Sequence, residues 1–327
     1  MIGSRVPINR SIEALVETAG CCSNKLADDP NQIVCDDEWT EEREALAKAH
    51  LNKDTSIIPL FWQSTLKTHN PPNLINSTFL SDKYEMEASK NWDKFYKRNT
   101  TNFYKDRHYL DIVFPQLKAQ SDQPQYLLEV GCGVGNAALP LLESNTNLHI
   151  IAVDFAPTAI ELFKKQPLFE ESRCTLALCD ITKDDLRPLL PLNCLGVDYA
   201  LVFFCLSGIH PSKMDAVALN IYNAIRPEGR VFLRDYGRYD QAQLRFKTGH
   251  KLEDNFYARG DNTRAYYFST DEIERIFTQA GFQVVENKYI RRQYINRKQN
   301  IVRYRVWVHA VFQKPSIHAL QSLEICP

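Results

Sequence analysis

From Tyr126 onward the chain alternates short apolar runs with stretches of helical spacing. The runs are Tyr126–Val130, His149–Asp154, Thr175–Leu178, Asp198–Phe204 and Arg230–Arg234, each of strand length and mainly apolar between its ends, as strands of a covered parallel sheet are. Between them, Asn136–Leu142, Pro157–Lys165 and Lys213–Ile225 read as helices, so the predicted sheet is parallel. After Arg234 comes a polar, aromatic insertion, residues 237–268. The capping box Ser269-x-x-Glu272 then announces another helix. Two last apolar runs, Phe282–Tyr289 and Tyr304–Phe312, follow almost directly. Before residue 90 the pattern is patchy: Glu41–Leu51 reads as a helix and Lys67–Ser81 as a linker. The expected division is an extension over 1–89, a main folded domain over 90–315 with the insertion 237–268 inside it, and a tail over 316–327.

Seven strands ending in a hairpin is the layout of an α/β, Rossmann-like class I methyltransferase: a seven-stranded, mostly parallel sheet with a terminal antiparallel hairpin, here behind an N-terminal extension. A dehydrogenase would continue with a second parallel half. Leu127-Leu-Glu-Val-Gly-Cys-Gly-Val-Gly-Asn136 is a buried strand running into a glycine turn that opens a helix. Glycine permits positive φ and lets backbone approach a ligand. The spacing is GxGxG, with Asn136 where a dinucleotide fold wants its third glycine. That turn suits S-adenosylmethionine, which has no pyrophosphate to cradle. Asp154 ends the second strand and is placed for the ribose hydroxyls; Asp180, closing the third, is placed for the adenine amine. Either acid alone could be a turn cap; two at successive strand ends favour a cofactor. Glu129 orients the glycine loop or the cofactor's ammonium group, or else is purely structural. The fourth strand ends Phe203-Phe-Cys-Leu-Ser-Gly-Ile-His210. It lacks both the Asn/Asp-Pro-Pro-aromatic motif of many amino-group methyltransferases and a Pro-Cys or Thr-Cys nucleophile, so the acceptor must itself be nucleophilic.

Composition adds limits. Hydrophobic residues make up 44% of the 327, ample for a core, and no apolar run approaches the ~20 residues of a membrane span. Neither a secretory signal nor a mitochondrial presequence is read in Met1–Arg10 and the acidic stretch after it, so a cytoplasmic and also nuclear location is expected, with no membrane partner. Nine cysteines without a CxxC pair argue against a disulfide framework or a metal site. The net charge of −1 hides a division. Residues 1–48 hold ten acids against five bases, whereas Lys288–Phe312 holds seven bases and no acid, the mark of a basic face.

From about Lys90 to Lys314 the chain resembles the eukaryotic tRNA 3-methylcytidine methyltransferases. The carrying segments are Lys90-Asn-Trp-Asp-Lys-Phe-Tyr-Lys-Arg98, Phe103-Tyr-Lys-Asp-Arg-His108, Gly131-Cys-Gly-Val-Gly-Asn136 and Ile209-His-Pro-Ser-Lys-Met214. More specific are Arg234-Asp-Tyr-Gly-Arg-Tyr-Asp240, Asn255-Phe-Tyr-Ala-Arg-Gly-Asp261 and Tyr304-Arg-Val-Trp-Val308. The resemblance implies methylation of cytosine N3 at position 32 of the anticodon loop in serine or threonine tRNAs. It also places Trp92, Tyr96, Gly131, Asp154, Asp180, Ile181 and Phe203 around the cofactor. Asp28-Asp-Pro30 and Glu38-Trp-Thr-Glu41 are similar to the threonine-tRNA branch, and Lys90–His108 to the serine-tRNA branch. A helper such as seryl-tRNA synthetase is a further candidate partner.

Cytosine N3 lies on the pairing edge, so the base must be splayed out to react. Its lone pair needs positioning rather than a base. Asp235, just past the fifth strand, is the catalytic candidate, set to take the N4 amine and offset the ring cation; alternatively it holds Arg234 or a loop. Residues 94–108 interleave Lys94, Lys97, Arg98, Lys105 and Arg107 with Phe95, Tyr96, Phe103 and Tyr104, the composition of a single-strand RNA surface and equally of an amphipathic helix. Arg291, Arg292, Arg297 and Lys298 are phosphate contacts or a solvated hairpin. From these stretches Phe103, Lys105, Arg107, Arg259, Arg291 and Arg292 are the candidate RNA contacts. Two competing readings are a methyltransferase of another RNA, a protein or a small molecule, and a non-catalytic RNA-binding subunit. The basic, aromatic insertion weighs against a small acceptor, and the Gly131/Asp154/Asp180 set against loss of catalysis.

Overall fold

The computed structural model describes residues 32–36, 39–53, 77–118, 123–191, 195–296 and 301–317. Arg297, Lys298, Asp28-Asp-Pro30 and most of the expected linker lie outside them.

Strand β1 (Gln32–Asp36) and helix α1 (Glu41–Leu51) come first, then α2 (Ser77–Met86) and α3 (Ala88–Asn99). The core follows as β2 (Gln125–Val130), α4 (Ala138–Ser144), β3 (Leu148–Asp154), α5 (Pro157–Lys164), β4 (Cys174–Leu178), β5 (Val197–Phe203), α6 (Met214–Ala224) and β6 (Ile225–Tyr236). Three short strands, β7 (Lys251–Glu253), β8 (Phe256–Ala258) and β9 (Arg264–Tyr266), form a separate antiparallel sheet within the insertion. Helix α7 (Thr270–Gln279) and the hairpin of β10 (Gln283–Asn296) and β11 (Ile301–Gln313) complete the chain. Ser269 and Glu272 cap α7 reciprocally as predicted, at 3.2 and 2.7 Å.

The main sheet runs β1-β10-β11-β6-β5-β2-β3-β4. Strands β6, β5, β2, β3 and β4 are parallel, and β11 returns antiparallel to β6. These are the seven expected strands, with the hairpin where it was expected. Because successive strand residues face opposite ways, Leu127, Leu201 and Phe232 join α4 and α5 on one side, while Leu128, Val202 and Leu233 join α6 and α7 on the other. Both sides of the central strands are buried, and that is why they read as apolar runs with few polar breaks.

The eighth strand was not foreseen. The hairpin overshoots the sheet, and β1 pairs with that overhang from Gln32↔Asn296 to Asp36↔Arg292. An open strand edge is a pairing liability, and the extension covers it. Among the described residues no helix is long and apolar enough to cross a membrane, and no cluster of side chains could hold a metal ion.

Candidate active site and RNA-facing surface

A cleft of about 350 Å³ opens at the carboxyl ends of β2, β3, β4 and β5, where open α/β sheets bind ligands. Its floor includes Gly131, Val153–Phe155 and Cys179–Lys183; Cys205, Gly208 and Ile209 form one wall, and Ser89, Trp92 and Tyr96 the roof. The glycine turn is tight. Gly131 and Gly133 adopt φ of +69° and +55°, and a Cβ on Gly133 would sit 2.6 Å from the Tyr96 hydroxyl, so only glycine lets the roof close this far.

Asp154 lines the cleft and braces the turn, accepting from the Gly133 and Ala156 amides, both at 2.9 Å. Burial pushes its pKa up to about 6, against the pull of those amides. A carboxylate has about four lone-pair sites, so capacity for ribose hydroxyls remains. Asp180 also lines the cleft, but its carboxylate is locally engaged with the Thr182 hydroxyl at 2.7 Å and Lys183 Nζ at 3.0 Å. Burial opposes its charge, yet Thr182 and Lys183 outweigh burial and hold the pKa below the ordinary value. Ile181 adds apolar floor. Trp92 and Tyr96 stand on α3, their rings 6.1 Å apart. That helix is fixed to the core by Asp93 on the Thr158 amide (2.9 Å) and Ser89 on the Phe155 carbonyl (2.8 Å).

This constellation fits S-adenosylmethionine: a cradle that a side chain would fill, a buried acid with free acceptor capacity, and aromatic rings of the kind that favour a cation. Glu129 sits beneath the turn, with burial lifting its pKa to about 8 and one oxygen unpartnered among the described residues.

Two expected site residues fall elsewhere. Phe203 does not line the cleft; it points to the opposite side of the sheet, into the core with Leu201 and Phe232. Phe204 lines the cleft instead. Its backbone is left-handed, φ +55°, a strained state for a bulky residue that recurs at functional sites. Asp235 is the second correction. It is fully buried, is absent from the cleft lining, and accepts from the Ser207 amide at 2.9 Å and the Tyr236 amide at 2.8 Å. Burial raises its pKa to about 6 despite those bonds. It therefore holds the loop after β5, the loop-holding alternative. Arg234 faces the other way, with Nη2 3.1 Å from His309 Nδ1. Asp240 is equally enclosed, against Arg305 Nε and the Val306 and Ala242 amides. Asp106 is exposed and takes the Asn136 amide at 2.9 Å.

The RNA candidates divide. Arg107 lies over Phe203 and Phe204, at 4.6 and 5.1 Å from the ring centres. Arg259 lies 5.3 Å from the Tyr236 ring centre; burial opposes its charge, but the tyrosines Tyr236, Tyr104 and Tyr267 outweigh burial and favour it. Phe103 is 54% exposed, its ring 4.7 Å from Tyr104, and Lys105 is exposed. Arg291 and Arg292 leave β10 on opposite faces. Arg291 is a further correction: it stacks between Tyr289 (4.6 Å) and Trp39 (5.2 Å), while Arg43 of α1 lies over Trp39 and Tyr304. This cation–aromatic column fastens the extension to the hairpin. Arg292 is half-buried on the other face.

That other face carries residues the sequence reading passed over. Phe204 lies 5.0 Å from Tyr236 and 6.2 Å from Trp307; Trp307 in turn meets Tyr294 at 6.2 Å, with Arg234 and Arg305 at 5.7 and 5.9 Å. The signal was available, since Arg305, Trp307 and His309 alternate along one strand face. Also missed were Glu85, Lys213 and Arg264, which line the cleft; of the three only Lys213 falls in a segment that carries the resemblance, Ile209–Met214.

Residues 100–287 match the family described as a methyltransferase domain. The human tRNA N(3)-cytidine methyltransferase METTL6 is 46% identical over 242 residues, covering 73% of this chain and 84% of that protein. The tRNA N(3)-cytidine methyltransferase METTL2 of Xenopus tropicalis is 33% identical over 341 residues, covering 91% and 96%. The tRNA(Thr) (cytosine(32)-N(3))-methyltransferase of Saccharomyces cerevisiae is 41% identical over 239 residues, 71% of this chain but 38% of that longer protein. Among solved structures, an SAM-dependent methyltransferase from Anabaena variabilis matches with a TM-score of 0.50 at 14% identity, covering 69% of this chain and 94% of that one. That likeness shows the fold alone.

Proposed function

The chain belongs to the tRNA N(3)-cytidine methyltransferases, and from that premise we propose that it methylates N3 of cytidine 32 in the anticodon loop of serine or threonine tRNAs. One observation carries the reading: the Phe204 ring belongs both to the cofactor cleft and to the arginine-rich aromatic surface beside it. A base stacked against Phe204 and Tyr236 would stand next to the cleft, with Arg107, Arg259 and Arg305 around it for phosphates. A protein-bound or small acceptor has no use for such a surface.

When bound, S-adenosylmethionine supplies an electrophilic methyl group on a sulfonium. Asp154, Ile181, Trp92 and Tyr96 hold and orient it, with Asp180 at the cleft floor. Neutral cytosine N3 needs no base, so the remaining work is alignment and exclusion of water. With Asp235 and Asp240 buried out of reach, the cation that forms on the ring is stabilised by the aromatic faces of Phe204 and Tyr236. Phe103, Lys105 and Arg292 extend the RNA surface, and the insertion 237–268 belongs to substrate recognition. A seryl-tRNA synthetase is the proposed helper for serine tRNAs, and the cytoplasm and nucleus, where tRNA is modified, the proposed location.

The test is methylation of unmodified tRNA by the purified chain, with nucleosides read by mass spectrometry. The expected product is 3-methylcytidine from serine or threonine tRNA, lost when cytidine 32 is changed to uridine and formed faster with the synthetase present. Transfer to protein alone, or cofactor binding without transfer to any tRNA, would sink the reading.

A further inference from the structure

The small sheet β7–β9 stands between the cofactor cleft and the aromatic surface, and its two faces serve different neighbours. Leu252, Phe256 and Ala258 pack with Tyr84 of α2 and with Tyr266. Tyr257, Ala265 and Tyr267 pack with Tyr236 and Phe246. The roof of the cleft is correspondingly built in two parts. Helix α3 is anchored to the core through Asp93 and Ser89. Helix α2, which ends over the cleft at Glu85 and Met86, is anchored to the insertion.

Arg264 makes that anchor. Its side chain is 4% exposed, and it donates Nη1 to Glu85 Oε2 at 2.5 Å and Nη2 to the Gly208 carbonyl at 3.1 Å. Lys213 closes on the other Glu85 oxygen. All four residues line the cleft. Burial lowers the Arg264 pKa, with Glu85 partly restoring it. Burial likewise opposes the charge of Glu85, but Lys213 and Arg264 outweigh it and keep the carboxylate ionised. Arg264 is buried and Glu85 half-buried, so removing Glu85 leaves a buried guanidinium short of its partner, which is costly. It joins three separate parts: the insertion, α2 of the roof, and the wall loop that Asp235 holds from behind.

We propose that Arg264 is a positioning residue that couples the RNA-facing insertion to retention of the cofactor. Through Glu85 and Gly208 it holds α2 and the 205–209 loop over the cleft. RNA seated against Tyr236, and so against the Tyr257–Tyr267 face, steadies the same sheet and slows cofactor release. Linkage makes the effect mutual, so bound cofactor tightens RNA by the same factor. The proposal rests on the functional reading above.

The experiment measures S-adenosylhomocysteine affinity and dissociation for the full chain, with and without an unmodified serine-tRNA anticodon stem-loop. In the wild type the RNA should tighten the product cofactor by about fivefold or more, the lower end of common coupling. In Arg264→Lys and Glu85→Gln, affinity without RNA should fall about tenfold and the effect of RNA should vanish, while in Glu85→Gln, outside the insertion, RNA affinity without cofactor stays near wild type. Wild-type cofactor affinity in both variants, or an undiminished RNA effect, would overturn the proposal. Should either variant melt early, Lys213→Gln removes the more exposed arm: weaker coupling supports the proposal, and unchanged coupling overturns it. A wild-type chain that binds neither ligand defeats the functional reading itself. One that binds both without coupling defeats only this inference.

Discussion

Asp154 and Asp235 are near twins in environment and opposite in use. Each lies at or one residue before the end of a central strand, is at least nine-tenths buried, accepts two backbone amides, and has a pKa raised to about 6 by burial. Asp154 opens onto the cleft; Asp235 is enclosed behind it. The two halves of the molecule differ in the same way. In the cofactor half the glycine turn and both acids sit at strand ends or on the adjoining turns, under the Trp92 and Tyr96 rings of α3. In the acceptor half the acids are locked inside, and the exposed chemistry comes from cations and rings far apart in sequence. A perturbed carboxylate is therefore not by itself a mark of catalysis; what it faces decides.

The sharpest break of the pair is Asp154→Ala. Loss of charge-assisted contacts worth roughly 1.5–3 kcal/mol should weaken S-adenosylmethionine about tenfold to hundredfold by calorimetry, with little change in tRNA binding. Trp307→Ala tests the acceptor half. Stacking is worth about 1–3 kcal/mol per base, so tRNA affinity should fall roughly tenfold, with cofactor affinity intact; an unchanged tRNA affinity would return Trp307 to a packing role.

Asp235→Asn should behave unlike a catalytic lesion. An amide cannot accept from both the Ser207 and Tyr236 amides without turning its own N–H₂ toward one of them, and an unmade buried hydrogen bond costs about 1–3 kcal/mol. A melting point lower by a few degrees is expected, with a single-turnover rate within about tenfold of wild type. A loss of 10²–10³, the usual cost of removing a preorganised electrostatic contact, with unchanged stability would restore Asp235 to the chemistry.

Protonation separates the twins as well. As the pH falls through about 6, Asp154 gains a proton and loses acceptor strength toward hydroxyls. Cofactor affinity should drop by at most about tenfold per unit below that point, and Asp235→Asn should keep this profile. For stability the sign is the reverse. Both groups have pKa values raised above the unfolded value, so their protonated forms favour the folded chain below about pH 4, and that contribution is lost as the pH rises through about 6. The smallest effect is the most discriminating. Arg107→Ala should reduce the salt slope of tRNA binding by about 0.7, one single-strand phosphate. Arg291→Ala should leave the slope unchanged and instead loosen α1, seen as faster proteolysis near residue 40.

The cofactor half was legible because its signals are local. An apolar run, a glycine turn and a strand-end acid occupy neighbouring positions, and the capping box at Ser269 needs only four residues. Phe203 is placed at the cofactor by the resemblance, and motif position does not say where the strand stops or which way the next ring turns. The left-handed backbone at Phe204 ends it and swings that ring to the cleft. For Arg291 and Arg292, alternation separates the two without revealing that Trp39 waits on one side. The same distance hides Glu85 from Arg264. Strand β1 carried no signal beyond a short apolar segment, since what fixes it is the overhang of a hairpin far along the chain.

That overhang bears on how the molecule is made. Gln32 finds its partner only at Asn296, so during synthesis at about 5–20 residues per second β1 leaves the ribosome some 15–50 s before the strand it must join. Pairing so remote in sequence is slow to form. Over that interval the segment has to stay unpaired, or be shielded, while the parallel strands assemble without it. The sheet edge is thus sealed late, and the nascent chain is most exposed to misassociation just before its hairpin emerges.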